Sequence, residues 1–172
     1  MKTLHLLRHA KSSWSEPGLP DHERPLNRRG RRAGQAIGRH LVDANIVPDL
    51  VLCSTSLRTR QTLDLILPAI KPPKIVLDRQ LYEASAARLL DYLKELPEAA
   101  EVVLLIGHNP GLHELALSLA APTTVGALPP RLAKFPTGAL ASFQIAGRWA
   151  KLRAQGAAVS GYLTPHQLLP AA

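Results

Sequence analysis

The chain opens on a short apolar block, Leu4, Leu6 and Leu7, that breaks off at the adjacent Arg8 and His9. Further apolar blocks lie at 49–53, 74–77 and 102–106, the last being the most hydrophobic stretch of the chain. Each spans a few residues between polar or turn-forming neighbours, which predicts buried strands. Between the blocks the apolar positions change to helical spacing. Ala33, Ala36, Ile37 and Leu41 share one face of a helix capped by Asn27 and running to about residue 45. Leu63, Ile66 and Leu67 do the same over 57–67, with Pro68 expected to end that helix. Leu89, Leu90 and Leu93 mark a third helix from a Ser85 cap to about residue 96, and a fourth covers 112–120.

Strands alternating with helices predict an α/β fold, a three-layer α/β/α sandwich around a mainly parallel central sheet. Two late runs, 140–145 and 159–163, have no helix of normal length between them and predict a hairpin-like pair. Residues 121–136, rich in proline and small side chains, read as a long surface excursion, with 134–138 placed to line a pocket. Gly30, Gly34 and Gly38 recur every fourth residue of the first helix, a spacing that permits close packing against a neighbour. They are not a nucleotide-binding turn, which would need Gly-x-Gly-x-x-Gly directly after a strand.

At 172 residues without repeats, the chain is expected to form a single domain over 1–172. Its 46% hydrophobic and 20% charged content is that of an ordinary globular protein rather than a disordered one. Cys53 is the one cysteine, so neither an intrachain disulfide nor a cysteine-rich zinc site can form, and a reducing, cytoplasmic setting is expected. No apolar run approaches a membrane span or an export signal, so no membrane partner is expected. The net charge of +8 owes much to Arg24, Arg28, Arg29, Arg31, Arg32 and Arg39. Aromatics do not interleave with these arginines, so nucleic acid is not the expected partner, and a basic rim attracting phosphorylated or acidic substrates is. No stripe of exposed hydrophobes points to a particular oligomeric state.

The chemistry begins where the first strand ends. The carboxyl edge of a parallel sheet is where ligands bind, and Arg8 and His9 fall there. A guanidinium suits phosphate, and a neutral imidazole is a nucleophile, so the pair suggests phosphoryl transfer through a phosphohistidine. Arg58 lies in the first turn of the second helix, where free backbone N–H groups favour an anion, and His108 follows the fourth strand. These residues supply charge without a metal, and the chain carries no HExxH, aspartate cluster or Walker lysine motif. The connection 81–84 could bring Glu83 to the same edge. A cysteine-based phosphatase loop does not fit: after Cys53 and five intervening residues it would need arginine, but Thr59 stands there, and Cys53 falls inside a strand.

Taken in order, Leu7-Arg8-His9-Ala10-Lys11-Ser12, the 54–62 stretch with Arg58, and Gly107-His108-Asn109-Pro110-Gly111 resemble the histidine phosphatase superfamily. Asp21 to Leu26, with Arg24-Pro25-Leu26, and Phe135-Pro136-Thr137-Gly138-Ala139 resemble its SixA-type phosphohistidine phosphatase branch, so the resemblance spans almost the whole chain. It implies a phosphoglycerate-mutase-like fold and a phosphatase needing no cofactor. It further implies that His9 becomes phosphorylated while Arg8, Arg58 and His108 bind the phosphoryl group, with Lys11, Ser12 and Arg24 assisting substrate binding. Ala10 stands where the wider family has glycine. Family members acting on stable esters supply a carboxylic acid for the leaving oxygen, for which Glu83 is the candidate. Phosphohistidine in a protein needs less help from such an acid and is the expected substrate. A phosphatase of small phosphate esters and a phospho-binding module without turnover are the alternatives.

Overall fold

The computed structural model of the chain describes residues 1–122 and 130–170. Six strands build one sheet: β1 (Lys2–Arg8), β2 (Leu50–Cys53), β3 (Ile75–Leu77), β4 (Val102–Gly107), β5 (Leu140–Ile145) and β6 (Ala158–Leu163). Their spatial order is β3-β2-β4-β1-β5-β6. The first four are parallel, with Leu105 of β4 beside Leu6 on one side and Leu52 on the other. β5 runs antiparallel to β1, and β6 antiparallel to β5, which gives the late pair expected from the sequence.

Among the described residues five helices cover the sheet: α1 (Arg28–Asp43), α2 (Leu57–Ile70), α3 (Ala86–Lys94), α4 (Gly111–Leu119) and α5 (Pro165–Leu168). Strand side chains alternate between faces, so the central strands feed two cores. Leu7, Val51, Cys53, Leu104 and Ile106 pack with Ile37 and Leu41 of α1 and Leu63 and Ile66 of α2. Leu4, Leu6, Leu52 and Leu105 pack on the opposite face with Leu89 and Leu93 of α3 and Leu112 and Leu115 of α4. This is the three-layer sandwich, and burial on both faces is why the central strands read as unbroken apolar runs. Trp149 anchors the second core, fully buried, its Nε1 donating to Ala100 O at 2.8 Å. Among the described residues no helix is long and apolar enough to cross a membrane.

Two local expectations are corrected. Pro68 does not end α2, which continues to Ile70 and leaves the helix at Lys71 with φ 39°. A proline this near the C-terminus removes one backbone donor, and the carbonyl it would have met belongs to exposed Asp64, where water can serve it. The stretch 121–136 is not all surface: 123–129 lie outside the described residues, but Leu132 is fully buried and Phe135 is packed in the core. Gly138 then turns the chain into β5 at φ 76°, a left-handed conformation open to glycine, and its N–H meets both Arg8 O and His9 O.

The glycine spacing of α1 does what close approach requires. A Cβ on Gly30 would lie 2.1 Å from Lys11 O, and one on Gly34 would lie 2.6 Å from Leu65 Cδ1 of α2. The first clash is with backbone and the second with the end of a flexible side chain. Gly30→Ala is therefore expected to lose stability, by roughly 1–3 kcal/mol of overpacking, whereas Gly34→Ala is largely offset by a helix-propensity gain of up to about 1 kcal/mol. Urea denaturation of both variants checks the order, and equal losses would contradict it.

Candidate active site

Because β1, β2 and β4 are parallel, their carboxyl ends open on one edge of the sheet. Arg8 closes β1, Ser54 follows β2, and His108 follows β4. Arg58 enters the same edge from the first turn of α2, whose N-cap Ser56 accepts from Thr59 N–H. His9, Arg58 and His108 are all buried, with 6%, 5% and 6% exposure, too little for solvent to satisfy their polar atoms. The hydrogen bonds they make therefore define their chemistry.

The network fixes both imidazole tautomers. His9 Nδ1 lies 2.7 Å from the Ala10 carbonyl, which can only accept, so Nδ1 carries the proton. His9 Nε2 is then a bare lone pair, and Arg58 Nε donates toward it at 3.4 Å. Arg58 Nη2 donates to His108 Nδ1 at 3.3 Å, so His108 holds its proton on Nε2, 2.7 Å from Ser54 Oγ. The two rings stand 5.3 Å apart between centroids. Burial, reinforced by Arg58 and Arg8, lowers the His9 pKa to about 3. Burial, with His9 and Arg58 beside it, also lowers that of His108 to about 3. Both are neutral at physiological pH.

One side chain organises the cations and was not singled out from the sequence. Asp21 accepts from Arg58 Nη2 at 3.0 Å and from Arg24 Nε at 3.0 Å, while its backbone carbonyl accepts from Arg58 Nη1 at 2.7 Å. The Tyr82 hydroxyl donates to its Oδ2 at 2.5 Å. Burial alone would raise the Asp21 pKa, but the donors Tyr82, Arg58 and Arg24 override it and hold the carboxyl well below its usual range. Tyr82 stands edge-on to His108 and to His22, and its pKa is raised to about 12, by burial first and then by the Asp21 carboxylate. Nothing at the level of periodicity marks Asp21, which sits in a 3₁₀ turn, Asp21–Glu23, inside a loop.

The remaining expected site residues fall at different depths. Arg24 is buried and donates to Ser12 Oγ at 2.6 Å, so Ser12 supports Arg24 rather than meeting the histidines. The ring of exposed Trp14 lies 3.5 Å from the Arg24 guanidinium carbon. Arg8 donates through Nη1 to Phe135 O, and its buried Nε has no hydrogen-bond partner among the described residues. The Lys11 side chain is exposed, and its backbone carbonyl accepts from Asn27 N–H. Glu83 is exposed with φ 53°; the side chain of this connection that reaches the cluster is its neighbour Tyr82. Cys53 is fully buried, and burial pushes its thiol up to about 12, which makes it unreactive.

Comparison with known proteins agrees with this geometry. The family profile described as Histidine phosphatase superfamily (branch 1) matches residues 4–115. An uncharacterised protein of Mycobacterium tuberculosis is 37% identical over 163 residues, covering 92% of this chain and 99% of its own. The candidate phosphohistidine phosphatase SixA of Nakamurella multipartitia superimposes with a TM-score of 0.82 at 31% identity, covering 95% of this chain and 96% of its own. The corresponding candidate from Agrobacterium tumefaciens has a TM-score of 0.79 at 28% identity, with 95% and 98% covered. The chain belongs to the histidine phosphatase superfamily, in its SixA-type branch. It is a hydrolase of the phosphatase type with the phosphoglycerate-mutase-like fold.

The buried neutral histidines make stability depend on pH in a defined direction. An unfolded histidine takes up its proton near pH 6.5, whereas folded His5 does so near 4 and His9 and His108 near 3. Their contribution is complete above the unfolded value and is lost as pH falls, about 2 kcal/mol per histidine by pH 5. Asp21 adds a loss in the same direction at lower pH, as its carboxylate is protonated. Thermal melts of the ligand-free protein are expected to move down steadily from pH 7 to pH 4. A flat profile would refute the neutral assignment.

Proposed function

We propose that this protein hydrolyses phosphohistidine in proteins through a phosphorylated His9. The observation that carries the reading is the bare Nε2 of His9, oriented by the Ala10 carbonyl on its far nitrogen and faced by Arg58. A neutral imidazole so held attacks phosphorus without first losing a proton. The N–P bond to His9 forms as the N–P bond to the substrate imidazole breaks, and that imidazole leaves with its electron pair and takes up a proton. Water then attacks phosphorus, the His9–P bond breaks, and inorganic phosphate leaves. Arg8, Arg58 and His108 bind the equatorial oxygens, Arg58 as a fixed charge, Arg8 through an Nε that has no partner among the described residues, and His108 by turning its Nε2–H from Ser54 to the phosphoryl group. Arg24 adds positive charge from behind Asp21, and Ser12 holds Arg24. Lys11 contributes at the rim.

The acid chemistry favours an N–P substrate over an ester. An alkoxide is a poor leaving group without a proton donor, and the carboxyl in this cluster, Asp21, is held ionised between two guanidinium groups. Imidazole leaves more readily. Glu83, exposed and one residue from Tyr82, is a further carboxylate near this edge, as is exposed Glu23, which pairs with His22.

Phosphate release is measured side by side from a phosphohistidine-bearing protein and an aryl phosphate ester, in EDTA. The phosphohistidine substrate is expected to turn over faster, and acid-labile label is expected on the enzyme after rapid quenching. His9→Ala should abolish both, by on the order of 10³-fold or more, while Glu83→Gln leaves phosphohistidine hydrolysis within about threefold. Preference for the ester with loss on Glu83→Gln would move the enzyme to small phosphate esters. Phosphate binding without release from either substrate would make it a phospho-binding module.

A further inference from the structure

The exposed face of α1 is loaded with charge that the fold does not use. Arg28, Arg29, Arg31, Arg32 and Arg39 are all exposed, and among the described residues none forms an ion pair. The first turn of α1 contains no acidic residue. Positive side chains at a helix N-terminus oppose the backbone dipole, and Arg28 stands i,i+3 and i,i+4 from Arg31 and Arg32, where like charges repel. The helix would be better off without them. Its amphipathic inner face and the Asn27 cap, which accepts from Gly30 N–H at 2.8 Å, already account for its formation.

The position of this charge is specific. α1 follows β1, so its N-terminal turns lie at the same carboxyl edge of the sheet as His9, Arg58 and His108. Its first turn is seated on the segment just after His9: Asn27 Nδ2 donates to Ser12 O, Asn27 N–H donates to Lys11 O, and Gly30 lies against that same carbonyl. Exposed Lys11 and Arg28, Arg29, Arg31 and Arg32 therefore form one basic surface that begins where the substrate enters. Arg24 is excluded from it, being buried against Asp21 and Ser12.

We propose that this surface is the docking site for an acidic face of the phosphohistidine protein, so that the partner is held by α1 while its phosphoryl group reaches His9. This rests on the phosphatase reading above and narrows its substrate to acidic protein surfaces. Charge complementarity at a rim acts mainly on encounter, raising association rates by about 10-fold or more at low salt. A single-stranded nucleic acid would need aromatic platforms among the arginines. Of the aromatic rings at this edge, Tyr82 stands edge-on to His22 and His108, and Trp14 is stacked on Arg24.

The test uses the full chain, its Arg28→Glu/Arg32→Glu variant and an Arg28→Gln/Arg32→Gln variant. The probes are two synthetic phosphohistidine peptides, one with glutamate-rich flanks and one with serine–glycine flanks, plus phosphoramidate as a small substrate. The unmodified enzyme is expected to prefer the glutamate-flanked peptide in kcat/KM by about 10-fold, and to lose that preference at about 1 M salt, where the screening length is about 3 Å. The Glu variant should lose the preference or invert it, and the Gln variant should fall between. Phosphoramidate hydrolysis and melting temperature should not fall in either. Equal handling of the two peptides by the unmodified enzyme, or equal loss on all three probes in the variants, overturns the docking surface alone. Tighter binding of single-stranded or duplex DNA than of the acidic peptide, lost in the Glu variant, overturns the assigned partner. No release from any probe overturns the phosphatase reading and the docking site with it.

Discussion

The ion pair between Arg58 and Asp21 is the constraint on which the site depends. A guanidinium at 5% exposure is tolerable only if its charge is paired and its donors are satisfied, and Arg58 spends its donors on Asp21, His9 and His108 together. The pairing sets the plane of the guanidinium, and that plane leaves Nδ1 of His108 as the acceptor and faces the Nε2 that the Ala10 carbonyl leaves bare on His9. Removing Asp21 would leave the charge of Arg58 buried without a counter-ion, so a residue remote from the motifs holds the guanidinium that faces both rings. The same pair answers the leaving-group question, because a carboxylate locked between two cations cannot also be an acid.

The sheet topology explains why these groups meet. Parallel strands must send their carboxyl ends to one edge, and the strand-end residues of β1 and β4 converge there without being near one another in sequence. The antiparallel half contributes differently. β5 closes the side of β1, and the turn before it, pinned by Gly138 N–H on Arg8 O and His9 O, brings the Phe135 carbonyl to Arg8. The site is thus held by two kinds of strand connection, one that gathers reactive side chains and one that fixes the backbone behind them.

Much of this could be read from the chain because apolar blocks and their polar terminations are one-dimensional signals. Leu4 to His9 announces a strand with Arg8 and His9 at its end, and the alternation of blocks with helical spacing announces the layers. Arg58 and His108 are legible for the same reason, each lying next to a block boundary. Asp21 and Tyr82 are not: they sit in a short 3₁₀ turn and in a loop connection, and their role arises from contacts 37 and 61 residues apart in sequence. Glu83 is the carboxylate that the chain offers near this edge, but it is exposed, and its neighbour Tyr82 meets the cluster. Pro68 misled through a rule that holds for helix interiors and relaxes in the last turn, and Leu132 and Phe135 were hidden in a proline-rich stretch without period. Each miss is a place where tertiary contact outweighs local pattern.

The contact between Trp14 and Arg24 gives the molecule an optical property. Its two indoles occupy opposite environments, Trp14 at 76% exposure against a guanidinium that joins Ser12 and Asp21, and Trp149 sealed in the core. The emission of Trp149 follows the integrity of the whole fold, whereas quenching of Trp14 follows the distance and charge of Arg24. An oxyanion that draws Asp21 or Arg24 out of register changes one signal and leaves the other still, so the wild-type chain carries its own two-channel fluorophore pair, one reading occupancy and the other reading unfolding.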